Sequence, residues 1–332
     1  MLRLRHSVIL TAVFAIASCT STPPQPPATL NVIVFPGGFN WPIWVAQEKG
    51  LFAKNGIEVK LTPTPSSVFQ LTHLIQGKFD IAMTAIDNLV AYREGQGEEP
   101  IPGPDLEAVM GSDTGFLRLV TVPEIETYPQ LRGKTLSVDA RTTGYAFVLI
   151  EMLERAGLKE TDYQLVRAGG VLQRFQALMK KEHSGTLLLS PFEVTAEAKG
   201  FHRLGNAIDV LGRYQGLVAG VRKSWADANR GAVIGYIRAY VEAVEWLYDP
   251  ANKDEAIAIF LKNFPAPGPT GAQASYGILL NPKDGFQRKA RIDMEGVKTV
   301  LALRSKYGEP KKNLTDPSKY YDSSFYEAAM RR

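Results

Sequence analysis

Residues 29–61 read TLNVIVFPGGFNWPIWVAQEKGLFAKNGIEVKL, and the fold is decided here. Leu30 to Phe35 is a short apolar run, β-branched enough to be a buried strand. Gly37 and Gly38 let the backbone turn sharply after it. Phe39, Asn40 and Trp41 follow, and Pro42 stands where a helix accepts a proline. The helix carries Ile43, Val45 and Ala46 inward, then Leu51 and Phe52 after Gly50. Gly56 ends the connection, and a second strand starts at Ile57. The stretch is a βαβ unit. Open α/β sheets place ligands at the carboxyl ends of their strands, where Phe39, Asn40 and Trp41 lie. The plainer alternative has Phe39 and Trp41 only stapling the helix start.

The pattern continues outward. Ser66 or Ser67 caps a helix whose face is Val68, Leu71, Leu74 and Ile75, and Phe79 to Ala85 is a third strand. Asp87 caps a helix over Asn88 to Glu94, and Leu106 to Met110 is a fourth strand. A second block follows, with strands predicted at 116–122, 135–138, 163–166, 186–189 and 208–211. Its helices are predicted at 145–156 and 171–179, with a short one after Ser190-Pro191-Phe192-Glu193. Two alternating blocks with short connections predict two lobes, each a mostly parallel sheet covered on both faces. Beyond residue 230 the periodicity is helical, strongest along Val233, Ile237, Tyr240, Val241, Val244 and Leu247.

The chain has 332 residues and is 45% hydrophobic, an ordinary globular composition. Its formal charge is +4, and +2 without Arg3 and Arg5. That balance, with no long basic run, gives no footprint for nucleic acid. Met1 to His6 is basic, and Val8 to Ala17 is apolar but too short to span a bilayer. Such a start, followed by small residues, describes a secretory signal peptide. Ile16-Ala17-Ser18-Cys19 resembles the lipobox of bacterial lipoproteins, which implies cleavage before Cys19 and diacylation of its thiol. Cys19 is the only cysteine, so the body has no disulfide. Thr20 to Thr29 (TSTPPQPPAT) is a proline-rich spacer.

WVAQEKGLFAKNGIEVKL, QGKFDIAMTA, LRGKTLSV, RYQGLVAGVRKSW and YYDSSFYEAA together resemble the solute-binding proteins of bacterial ABC importers. The similar group binds nitrate, taurine, alkanesulfonates and the pyrimidine precursor of thiamine. The resemblance covers about Leu30 to Ala329. It implies a type 2 periplasmic-binding fold of two α/β lobes, joined by two crossing strands near 112–119 and 214–221 and closing like a hinge. The implied division is a signal peptide over 1–18, a lipid-anchored linker over 19–29, lobe 1 over 30–115 with 216–332, and lobe 2 over 116–215. The implied partners are a small solute, an importer permease and the membrane, with no cofactor. The protein would sit at the extracytoplasmic face. One departure concerns residues 181–185, where KEHSG replaces the Gly-x-x-Asp-Ala often found before the next strand.

Three loop–helix junctions should converge on the cleft: Thr64–Ser67, Thr84–Asn88 and Arg141–Gly144. Helix N-termini there offer free N–H groups, and Ser66, Ser67, Thr84, Asn88, Thr142 and Thr143 add polar side chains. Plain N-capping is the alternative for each. Asp87 and Glu193, if they face the cleft, favour a ring with N–H donors or an amine; Arg141 argues for an anion. Tyr214 could stack on a planar ligand with Trp41 or Phe39. A thiamine-pyrimidine synthase would need histidine, iron and a cysteine-rich motif. His73, His183 and His202 are not at metal-ligand spacing, and the body lacks cysteine. No GxSxG or Walker loop is present either. The expectation is therefore a binding protein and not an enzyme, with a sensory or scaffold lipoprotein of the same fold as the alternative.

Overall fold

The computed structural model describes residues 27–331, so the expected signal peptide, Cys19 and most of the spacer lie outside the described residues. Strand β1 (Ala28–Val34) already includes Ala28 and Thr29 from the end of that spacer. After it come α1 (Trp41–Glu48), α2 (Leu51–Lys54), β2 (Ile57–Pro63), α3 (Ser67–Ile75), β3 (Ile81–Ala85), α4 (Ile86–Arg93) and β4 (Leu106–Gly111). The glycine turn after β1 is a packing requirement: a Cβ on Gly37 would stand 2.3 Å from the Phe39 ring. The chain then builds β5 (Arg118–Thr121), β6 (Thr135–Val138), α5 (Gly144–Arg155), β7 (Gln164–Arg167), α6 (Val171–Met179), β8 (Gly185–Leu188), α7 (Phe192–Glu197), β9 (His202–Asn206) and α8 (Ala207–Leu211). It returns through β10 (Leu217–Arg222) and finishes in α9 (Lys223–Ala228), α10 (Arg230–Tyr248), α11 (Lys253–Asn263), α12 (Gly268–Leu279), α13 (Met294–Tyr307) and α14 (Ser323–Met330).

Two five-stranded sheets result, ordered β2-β1-β3-β10-β4 and β7-β6-β8-β5-β9. In the first, β1, β2 and β3 run parallel and β10 runs antiparallel to both neighbours. In the second, β6, β7 and β8 are parallel and β5 is antiparallel to β8 and β9. Each sheet therefore receives one strand by a direct crossing from the other half of the chain. The inner parallel strands β1 and β3 are covered on both faces, which is why Val32, Ile33, Ile81 and Ala82 are fully buried, while the edge strands β2 and β7 keep exposed residues. Among the described residues no helix is long and apolar enough to cross a membrane.

One predicted element needs correction, and one helix is added. Residues 208–211 are helical, and the last strand of the block is β9 just before them. Strand β9 is an edge strand, half-exposed, and its HRLGN carries no apolar alternation, whereas Ile-Asp-Val-Leu is too short to reveal a period. Helix α12 was not expected, because its glycines and proline hide a helix that packs on α11 and α7.

Asp113 ties the two crossings together. Its Oδ1 accepts the N–H groups of Gly115 (2.8 Å) and Leu217 (3.1 Å), and its Oδ2 accepts Ser112 Oγ (3.1 Å). The Asp113 carbonyl accepts Gly216 N–H at 2.9 Å. Burial pushes this carboxyl up to about 6, against the three hydrogen bonds that favour its charge.

Candidate functional site

The two sheets face each other across a closed cleft. Gly38 N–H donates to Ser190 O at 3.0 Å and Gly170 N–H to Pro65 O at 2.8 Å. The N–H of Ser67, at the start of α3, donates to Asp139 Oδ2 (2.8 Å), just beyond β6. These bonds join the two halves, two of them backbone to backbone, and cannot form while the lobes stand apart. Further out, Glu151 on α5 accepts Lys306 Nζ (2.9 Å) and the Tyr307 hydroxyl (2.7 Å) from α13. Burial raises the Glu151 carboxyl, but those two partners and Arg155 outweigh it and bring it down to about 2.

Between the halves lies a cavity of about 40 Å³. Its apolar wall is Phe35, Phe39, Ala85, Val171, Leu189 and Leu217, taken from both sides. The polar groups on it are Ser67, Asn88, Asp139, Thr143, Tyr145 and Arg174. Arg174 is buried and donates to Gly169 O (2.9 Å) and Leu187 O (3.2 Å). Burial lowers its pKa, and the nearby Asp139 carboxylate partly restores it. Asp139 is 7% exposed, and its Oδ1 has no hydrogen-bond partner among the protein atoms. The buried Tyr145 hydroxyl has none either, and burial pushes its pKa well above the usual phenol value. It stays protonated.

Of the expected residues, Phe39, Ser67, Asn88 and Thr143 border this cavity. Asn88 Nδ2–H is held by Thr84 Oγ1 at 2.9 Å, so Thr84 lies one layer behind. Ser66 is the N-cap of α3, accepting from Phe69 N–H at 3.2 Å. Asn40 donates to Phe35 O at 2.6 Å and braces the glycine turn. Tyr214 lies beside Tyr145, with ring centroids 6.3 Å apart, and borders a neighbouring pocket.

Others point elsewhere. Trp41 does not line the cavity: it is fully buried, edge-on to Phe260 at 4.7 Å and to Tyr276 at 5.9 Å, and its indole N–H donates to Ala256 O at 3.0 Å. The helix turns that large apolar ring toward α11 and α12 because they bury all of it. Asp87 is not the N-cap of α4; Ala85 is, and the Asp87 carboxylate is engaged by Arg304 through two bonds of 2.6 Å. Its charge is therefore neutralised inside the protein. Arg304 also donates to Thr142 O at 2.6 Å, and Thr142 Oγ1 donates to Glu98 Oε2 at 2.8 Å, so Thr142 serves closure. Arg141 is exposed and lies 3.9 Å from Glu160. Glu193 is fully buried, bonded to Ser190 and 3.8 Å from Arg118, and burial raises its pKa.

Sequence reasoning missed Asp139, Tyr145 and Arg174. Asp139 did carry a signal, because it follows the carboxyl end of the predicted strand 135–138, where the other junction residues sit. Arg174 falls inside an amphipathic helix, where a basic residue reads as solvated surface.

A family model described as NMT1/THI5 like matches residues 40–253. No curated protein matches the chain by sequence. Among solved structures, the chain is similar to the ligand-binding component of an ABC-type import system from Staphylococcus aureus with zinc bound, at 14% identity and a TM-score of 0.73, over 92% of this chain and 100% of that one. It is similar to the alkanesulfonate-binding protein SsuA from Xanthomonas axonopodis pv. citri bound to MOPS, at 15% identity and a TM-score of 0.69, over 92% and 98%. The periplasmic nitrate-binding protein NrtA from Synechocystis is a third, at 13% identity and a TM-score of 0.73, over 91% and 88%. At such identities the likeness establishes the fold, that of the periplasmic binding proteins.

Proposed function

The chain belongs to the NMT1/THI5-like family, and from that membership we propose that it is the extracytoplasmic solute-binding component of an ABC-type importer. It closes two lobes on one small organic solute, a pyrimidine-type heterocycle or a sulfonate- or nitrate-like anion, and presents it to a membrane permease. The observation that carries this reading is the cavity between the sheets. Its walls come from both halves of the chain, and bonds that need the lobes together bridge those halves. A pocket completed by closure suits capture and release, because solute binding then shifts the open–closed balance. The solved binding proteins above, one of them the ligand-binding component of an ABC-type import system, share the fold and give this reading its context.

The lobes are residues 30–115 with 216–332, and 116–215. Phe39, Ser67, Asn88 and Thr143 are the proposed contacts from the sequence-derived set. Cys19 carries the lipid that holds the protein at the membrane, with the proline spacer keeping the lobes clear of it. Cys19→Ala should therefore leave the protein uncleaved or released from the membrane fraction; normal mass and membrane retention would contradict the anchor.

A thermal-shift screen against sulfonates, nitrate, pyrimidines, amides and amines tests the binding role. A solute at a hundred times its dissociation constant stabilises by about 2.7 kcal/mol. A folded, ligand-free protein that responds to no solute in a broad screen would refute the role.

A further inference from the structure

The polar edge of the cavity specifies more than its size. Asp139 is anchored through one oxygen only, Oδ2, which takes the Ser67 N–H at 2.8 Å. Its other oxygen is buried without a protein partner, as is the Tyr145 hydroxyl, and both residues line the cavity. Buried polar groups are almost always satisfied, and an orphaned one costs about 1–3 kcal/mol. Two residues that line one small cavity each carry such an atom, and a ligand bound there can supply the partners. The missing partner of a carboxylate oxygen is a donor, while the phenol can donate.

The charges narrow the class further. Arg174 and Asp139 are the ionic groups on the wall, and their formal charges cancel. Two of the guanidinium's nitrogens are already given to the carbonyls of Gly169 and Leu187. An oxyanion placed here would meet the free Asp139 oxygen and repel it; a cation would add to Arg174. An uncharged solute with an N–H beside a C=O meets both orphans, the N–H on Asp139 Oδ1 and the C=O on the Tyr145 O–H. The cavity is small, about 40 Å³, which favours a compact solute.

We propose that the cleft selects a small uncharged amide- or urea-type solute, read by Asp139 as acceptor and Tyr145 as donor. This rests on the solute-binding reading and deepens it. It departs from the nitrate and sulfonate named for the solved structures of the same fold.

The test is calorimetric titration of the purified protein with acetamide, urea, 2-pyrrolidone, nitrate, methanesulfonate and methylammonium. The expected result is saturable binding of an amide or urea probe and none of the ions. Asp139→Asn keeps an oxygen for Ser67 N–H but turns the free acceptor into a donor, so affinity for that probe should fall at least about ten-fold. Tyr145→Phe removes an unpartnered oxygen without a folding cost, and should weaken the probe by roughly two- to ten-fold. Tighter binding of nitrate, methanesulfonate or methylammonium would overturn the assignment while leaving the solute-binding role intact. No binding of the three uncharged probes would also overturn it, and the broad screen then decides the role separately. Unchanged affinity in both variants would remove these two residues from recognition.

Discussion

Gly144→Ala isolates closure from folding. Gly144 is the first residue of α5, and a Cβ there would stand 2.3 Å from Asp87 Cγ, 2.5 Å from its Cβ and 2.7 Å from Oδ1. Asp87 cannot swing away cheaply, because Arg304 grips both carboxylate oxygens at 2.6 Å in a fully buried pair. If the neighbours yield, overpacking costs about 1–3 kcal/mol; if the ion pair breaks, the cost is about 3–5 kcal/mol. Both costs fall on the closed state, since Asp87 and Gly144 belong to opposite halves. At 1.4 kcal/mol per decade, the lower range weakens apparent affinity by roughly 5- to 150-fold through the fraction that can close. The open protein should not suffer, because alanine is at least as good a helix former as glycine. Titration of a verified solute, beside thermal melts without solute, reads both effects. Wild-type affinity in Gly144→Ala would refute the closed geometry described above.

Trp41→Ala should cost about 3–5 kcal/mol of stability, since it empties a fully buried site. Trp41→Phe, milder, should lower the melting temperature and leave the solute dissociation constant unchanged; a change in affinity would return Trp41 to the cleft. The Glu151 carboxyl sits near 2 against an ordinary 4.5. A lowered carboxyl stabilises fully above its unfolded value, and that contribution drains as pH falls from about 4.5 toward 2. Glu151→Gln should therefore flatten part of the acid limb of the melting profile, and an unaltered limb would argue against the α5–α13 tie. Asp113 behaves oppositely. Raised to about 6 from 3.8, it favours the fold fully below about 3.8 and loses that contribution as pH rises through 6. Asp113→Asn keeps an oxygen for Gly115 and Leu217, so its melting temperature should gain on the wild type between about pH 4 and pH 7. A parallel profile would show that this carboxyl does not titrate there.

The βαβ unit at residues 29–61 was legible because three local signals agree in it: an apolar run, a glycine turn and a proline at the helix start. The same agreement located most of the parallel strands, whose burial on both faces writes itself as continuous apolar sequence. Strand β9 was not legible, since an edge strand needs little apolar content. In the site, Ser67, Asn88 and Thr143 were found by position at the carboxyl ends of strands. Asp87 was misjudged because its partner Arg304 is 217 residues away, a pairing that no local pattern carries. Trp41 stands at the right strand end but on the wrong side of its helix, and the choice was made by the aromatic side chains of α11 and α12. Arg174 belongs to the cavity only because the second lobe folds over the first.

Small-angle scattering of the purified protein, with and without a saturating verified solute, reads closure of the cleft itself. The radius of gyration should be larger without solute and should contract on binding to the value of the closed structure. Gly144→Ala should need a higher solute concentration to reach the same contraction. An identical radius in every condition, with the solute demonstrably bound, would contradict a cleft that works by closing.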